Sequence, residues 1–169
     1  MGEAKIGEDF ITHEFDEAIA IQQSIVKAEQ ALSKDHPRPE AKRIISTALK
    51  EDQRFLKELQ RLGGQHGATG AVEEVAGALN SLMDETSRSA ADAESEAYEA
   101  HAVLVNLKRK QQDSGAAMVK IAQATKDREL ARAARDFSKA SKTSAQELAD
   151  DLAAFAVTIA TGDGVAAGR

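Results

Sequence analysis

The chain has 169 residues, 42% hydrophobic and 30% charged, with a formal net charge of −6. That fits one sizeable globular unit and disfavours nonspecific binding to a polyanion such as nucleic acid. Cysteine is absent, which excludes disulfides, thiolate catalysis and cysteine-based metal sites.

Residues 1–12 have no stable hydrophobic period and read as a flexible N-terminus. They lack the apolar core of a secretory signal. Ile6 stands where a myristoylation motif requires Ser or Thr. No run of 18 apolar residues occurs anywhere, so a soluble cytoplasmic protein is expected.

Helix 1 is predicted over about 13–33, with Thr12 as N-cap and Asp16 and Glu17 in the first turns. Ala18, Ile21, Ile25, Ala28 and Leu32 fall on one face. The stretch Asp35–Glu40 contains two prolines and breaks the helix. Helix 2 follows over roughly 38–62, its stripe of Ala41, Ile45, Ala48, Phe55, Leu59 and Leu62 interrupted by Asp52. Gly63-Gly64 is expected to stop it, and the loop to run to Gly70.

A third segment begins near Thr69. Val72, Val75, Ala76, Leu79, Leu82 and Met83 form its first patch, and Ala90, Ala93, Ala97, Ala100, Leu104 and Leu107 carry the face onward. One helix of this length would reach ~60 Å, so a bend near Thr86–Ser89 is favoured over a single protruding rod. Asp113-Ser114-Gly115 is expected to end the segment, and a second break is placed near Thr125–Asp127. Leu130, Ala134, Phe137, Ser141, Leu148, Leu152, Phe155 and Ile159 define the last face. Residues 161–169 read as a flexible tail. The fold expected over 13–160 is all-α: an antiparallel, up-and-down four-helix bundle with short connections.

Chemistry is harder to find. Gly63–Gly70 is the one glycine-rich loop before the tail, and it matches neither a Walker loop nor a dinucleotide fingerprint; a hinge is the better reading. The serines have no evident His-Asp partnership. Lys108-Arg109-Lys110 and the recurring Arg128, Arg132 and Arg135 are read as surface ion-pairing residues, with Arg132 and Asp136 spaced for an i,i+4 pair. His101 is expected at the edge of the core with one nitrogen satisfied, and His66 in the loop.

A bundle of this kind can hold two metal ions when Glu from two helices meets Glu-x-x-His from two others. The residues three before His13, His36, His66 and His101 are Phe10, Ser33, Gly63 and Tyr98, so that motif is missing. Paired acids remain: Glu14 and Glu17, Glu96 and Glu99, Glu147 and Asp150, with Asp52 closest to the centre of an apolar face.

The stretches LKEDQRFLKELQRLG (49–63) and RELARAARDFSKASKTSAQELADDLA (128–153) resemble a bacterial stress-associated branch of the ferritin-like superfamily. The architectural resemblance spans about 16–159. It implies an iron or manganese centre, for which Glu17, Asp52, Glu96, Glu99 and Glu147 are the candidate ligands and His101 a proton carrier. Lys139, Ser141, Lys142 and Ser144 depart from that branch's acid- and histidine-rich pattern. Two functions are therefore expected in order: a helical interaction or scaffold protein, stress-associated and homo-oligomeric, with no cofactor; and, as the alternative, an unusual carboxylate-dependent metal oxidoreductase. The 79–83 patch and the long third segment are the first interface candidates. A second copy or another protein is the expected partner.

Overall fold

In a computed structural model, residues 7–70 and 94–162 are described. They form α1 (Glu8–Asp35), α2 (Pro39–Gln65), α3 (Glu94–Thr125) and α4 (Arg128–Thr161), and no strand occurs among them. None of these helices is long and apolar enough to cross a membrane.

The helix ends follow local chemistry. α1 starts five residues earlier than the periodicity suggested, at Gly7, whose φ of 61° suits glycine. Glu8 and Asp9 then lie in the first turn, where the helix dipole favours acids. Thr12 is therefore not the cap; its hydroxyl donates to the carbonyls of Glu8 (2.9 Å) and His66 (2.7 Å). α1 ends at His36, and Pro39 opens α2 from the first helical position.

Gly63-Gly64 does not stop α2. The helix continues to Gln65, and a Cβ on Gly63 would stand 3.0 Å from Ile19 Cδ1. The missing side chain thus permits α1 to pack closely. The same logic applies to Gly115, which lies inside α3 rather than after it. A Cβ there would meet Phe137 Cδ1 at 2.9 Å and Ser138 Cα at 3.2 Å. The break expected near Thr125–Asp127 is present: Lys126 has φ 61°, and the Asp127 carboxylate accepts the Leu130 N–H to cap α4.

Two apolar clusters fill the interior. One joins Ile25 and Leu32 of α1, Ala41 and Ile45 of α2, Ala97 and Leu104 of α3, and Leu148 and Phe155 of α4. The other joins Ile11 and Phe15, Phe55 and Leu59, Met118 and Ala122, and Leu130 and Phe137 in the same helix order. Following each helix from cluster to cluster gives its direction. α1 and α4 run from the second cluster to the first; α2 and α3 run from the first to the second. Contacts join α1 to α2 and α3, and α4 to α2 and α3, so every packed pair is antiparallel.

This order is not the up-and-down path expected. α2 and α3 are parallel and occupy a diagonal; the backbones of their described residues do not approach closely, and they meet through the side chains of Asp52, Lys108 and Gln111. Gly70 and Glu94 therefore belong to opposite ends of the bundle. The chain leaving α2 already runs back along α1. The His66 ring stacks on Phe15 at 5.3 Å, and the N–H groups of Thr69 and Gly70 donate to Asp16 Oδ1 at 2.7 and 2.8 Å. The Val72–Met83 patch, the bend near Thr86–Ser89 and the start of the long third face lie outside the described residues.

Candidate functional site

Where the two clusters meet, the core is polar. Gln22 and Glu29 of α1, Asp52 of α2, and Lys108 and Gln111 of α3 are each 3% exposed or less. Gln22 and Glu29 are seven residues apart, two helical turns, and Lys108 and Gln111 are three apart. Each pair therefore shares a face with its helix's apolar stripe.

Asp52 is the hub. Lys108 Nζ donates to its Oδ2. Gln22 Nε2 and Gln111 Nε2 donate to its Oδ1 at 2.9 and 2.8 Å. Gln22 Nε2 also reaches the Asp52 carbonyl at 3.0 Å, and Gln111 donates to Gln22 Oε1. Lys108 Nζ lies 3.3 Å from Glu29 Oε1, although neither Glu29 oxygen accepts a hydrogen bond of normal geometry.

The surroundings push the two acids in opposite directions. Burial pushes the Glu29 carboxyl well above its usual range; Lys108 opposes this, while the Asp52 charge adds to it. Burial alone would raise Asp52 too. The Lys108 ammonium, with the hydrogen bond from Gln22, outweighs that and holds Asp52 below the ordinary carboxylate value. Glu29 is thus driven toward its neutral form and Asp52 toward its charged one. One ammonium lies between the two carboxyl groups.

This arrangement does not fit a metal ion. A cation needs free oxygen lone pairs, yet those of Asp52 already receive an ammonium and two carboxamide N–H groups. Nor do the five candidate acids meet. Asp52 is buried. Glu17, 27% exposed, pairs with Lys110 Nζ at 3.1 Å. Glu96, Glu99 and Glu147 are exposed. No group of three His, Asp or Glu among the described residues could hold a metal, and none of these acids is assigned as a ligand.

In the sequence Asp52 stands out on its apolar stripe, whereas its partners do not. Lys108 was hidden in a basic run, although it follows Leu104 by one helical turn and so lies on the buried face. Glu29 follows Ile25 in the same way. Of the basic residues read as surface pairs, Lys110 behaves as expected and Lys108 does not. Arg132 and Asp136 form no ion pair among the described residues. Arg61 instead bridges Glu58 (2.8 Å) and Glu129 (2.7 Å), tying α2 to α4.

A second polar group lies at the end of the bundle where α1 turns into α2. His36 and His101 are both 0% exposed, their rings edge to face at 5.3 Å. His36 Nδ1 accepts the Arg38 N–H at 3.1 Å, which places its own proton on Nε2. That Nε2 and both nitrogens of His101 have no hydrogen-bond partner, so His101 is deeper and less satisfied than expected. Arg38 donates to Asp151 Oδ1 at 2.9 Å and to Thr158 Oγ1 at 3.1 Å, with its guanidinium 5.3 Å from the Phe155 ring centre. Burial, followed by the neighbouring His101, brings His36 down to about 4. Burial also lowers His101; Asp151 and the facing Leu148 carbonyl only partly offset it.

Comparisons of this chain with protein-family models, curated proteins and solved structures each gave no match.

Proposed function

We propose that this chain is a helical interaction or scaffold protein of ferritin-like architecture, stress-associated and homo-oligomeric, whose central layer is held by a lysine. The observation that carries the reading is the Lys108 ammonium among Glu29, Asp52, Gln22 and Gln111. A tethered cation engages Asp52 and lies 3.3 Å from Glu29, where a bound metal would otherwise supply the positive charge. The ferritin-like assignment draws its support from the parallel α2 and α3, since one long crossover distinguishes such bundles from simple up-and-down ones.

Recognition would use the charged outer faces. Phe10 and Val157 are the only exposed large hydrophobic residues among those described, so those surfaces do not offer a broad apolar dock. The test uses full-length protein purified from iron- and manganese-supplemented medium. Metal analysis should find far less than one ion per chain, and light scattering should give a mass that is a multiple of 18.0 kDa. Stoichiometric metal retained after dialysis would overturn the lysine-filled centre. A strict monomer at high concentration would overturn the homo-oligomeric reading.

A further inference from the structure

We propose that His36 and His101 form an acid-operated latch, in which protonation of the imidazole pair releases the α1–α2 corner from α3 and α4 and opens that end of the bundle.

The geometry carries this. Both rings are fully buried and packed edge to face. Phe155 lies 5.2 Å from His36 on a further side. An imidazolium there would exchange its hydration for aromatic and aliphatic neighbours. The charged groups facing the pair are Arg38 and Lys42 from the start of α2 and Asp151 from α4. Two cations already outnumber one carboxylate, and Asp151 Oδ1 is engaged by Arg38. The single unpartnered oxygen, Asp151 Oδ2, cannot compensate two imidazolium ions.

The location turns this penalty into motion. His36 ends α1, and Pro37, extended Arg38 and Pro39 form the corner. Two sets of contacts tie that corner to the other helix pair: the His36 ring against His101 and Phe155, and Arg38 on Asp151 and Thr158. Charging the rings breaks the first and adds positive charge beside the second. Leu32, Tyr98 and Phe155 would lose their cover. The latch is independent of the scaffold reading, since it holds for monomer and assembly alike.

The sign follows from the neutral folded state. An unfolded histidine titrates near 6.5, so the contribution of the neutral pair is complete above that pH. It declines as pH falls towards the folded value of about 4 for His36. From His36 alone, the unfolding constant rises ~150-fold by about pH 4 and approaches ~300-fold below it, and His101 adds in the same direction.

Tyr98 is a built-in reporter. It is the one tyrosine in a chain without tryptophan, and its ring lies 6.1 Å from Phe155. Its emission and the far-UV helix signal should be followed together in full-length protein from about pH 8 to about pH 4. The wild type should show a tyrosine transition while the helix signal is intact. His36→Gln and His101→Gln should remove or shrink that transition, and His36→Gln should lose most of the ~150-fold acid dependence of unfolding. Should either variant not fold, imidazole proton NMR of the wild type decides: two histidines should titrate with the tyrosine transition. A flat tyrosine signal, an unchanged transition in a folded His36→Gln protein, or buried imidazoles that stay neutral through the transition would overturn the latch.

Discussion

Replacing Lys108 by methionine tests the central layer most directly. Methionine keeps much of the lysine's length and apolar stem but removes the ammonium. Asp52 then retains Gln22 and Gln111 as donors and loses its counter-charge. Breaking a buried pair by deleting one partner costs about 3–5 kcal/mol, so the variant should be that much less stable at about pH 7. The pH profile should also change sign locally. In the wild type the Asp52 carboxylate is held low, so its contribution is complete above about 3.9 and declines as pH falls through the folded value. Without Lys108, burial dominates and Asp52 rises. Its protonated form then becomes the stable one, and stability is lost as pH increases from about 4. The deficit relative to wild type should therefore shrink on acidification. Glu29→Gln is the control. Burial holds the Glu29 carboxyl high, so its contribution is present below about 4.3 and is lost as pH rises through the folded value. An amide removes that cost at about pH 7, and the variant should match or exceed wild-type stability. Asp52→Asn should fall between the two, because Glu29, 3.3 Å from Lys108 Nζ, can ionise in its place. The gross attraction at that distance is ~5 kcal/mol for an effective dielectric of about 20. Urea unfolding followed by circular dichroism at about pH 7 and about pH 4 reads all three variants. A Lys108→Met protein within about 1 kcal/mol of wild type at pH 7 would refute the reasoning. So would a Glu29→Gln protein as damaged as Lys108→Met.

Gly115→Ala should lower stability by about 1–3 kcal/mol in thermal or urea unfolding, because the new methyl meets Phe137 and the Ser138 backbone rather than a flexible side-chain end. Asp127→Ala should cost about 1 kcal/mol, with amide exchange near Leu130 accelerated before the rest of α4 responds. Leu148→Ala, at a fully buried position in the first cluster, should cost about 2–5 kcal/mol by the same unfolding assays.

The periodic spacing of apolar residues alone determined the four helical faces and the corner at Pro37–Pro39, because burying a stripe every three or four residues is a local property of a helix. It also marked Asp52 as an acid on the wrong face. Glycine was misleading for a physical reason. Gly63 and Gly115 look like stops in one dimension, but each lacks a side chain because another helix presses against it. Only the tertiary structure decided that α2 and α3 run parallel, since each amphipathic face is satisfied by either neighbour order. It alone decided that Lys108 turns inward while Lys110 meets Glu17 at the surface. The same is true of His36 and His101, 65 residues apart in sequence and 5.3 Å apart between ring centres. Charge balance in a core depends on which helices are brought together, and no single helix carries that information.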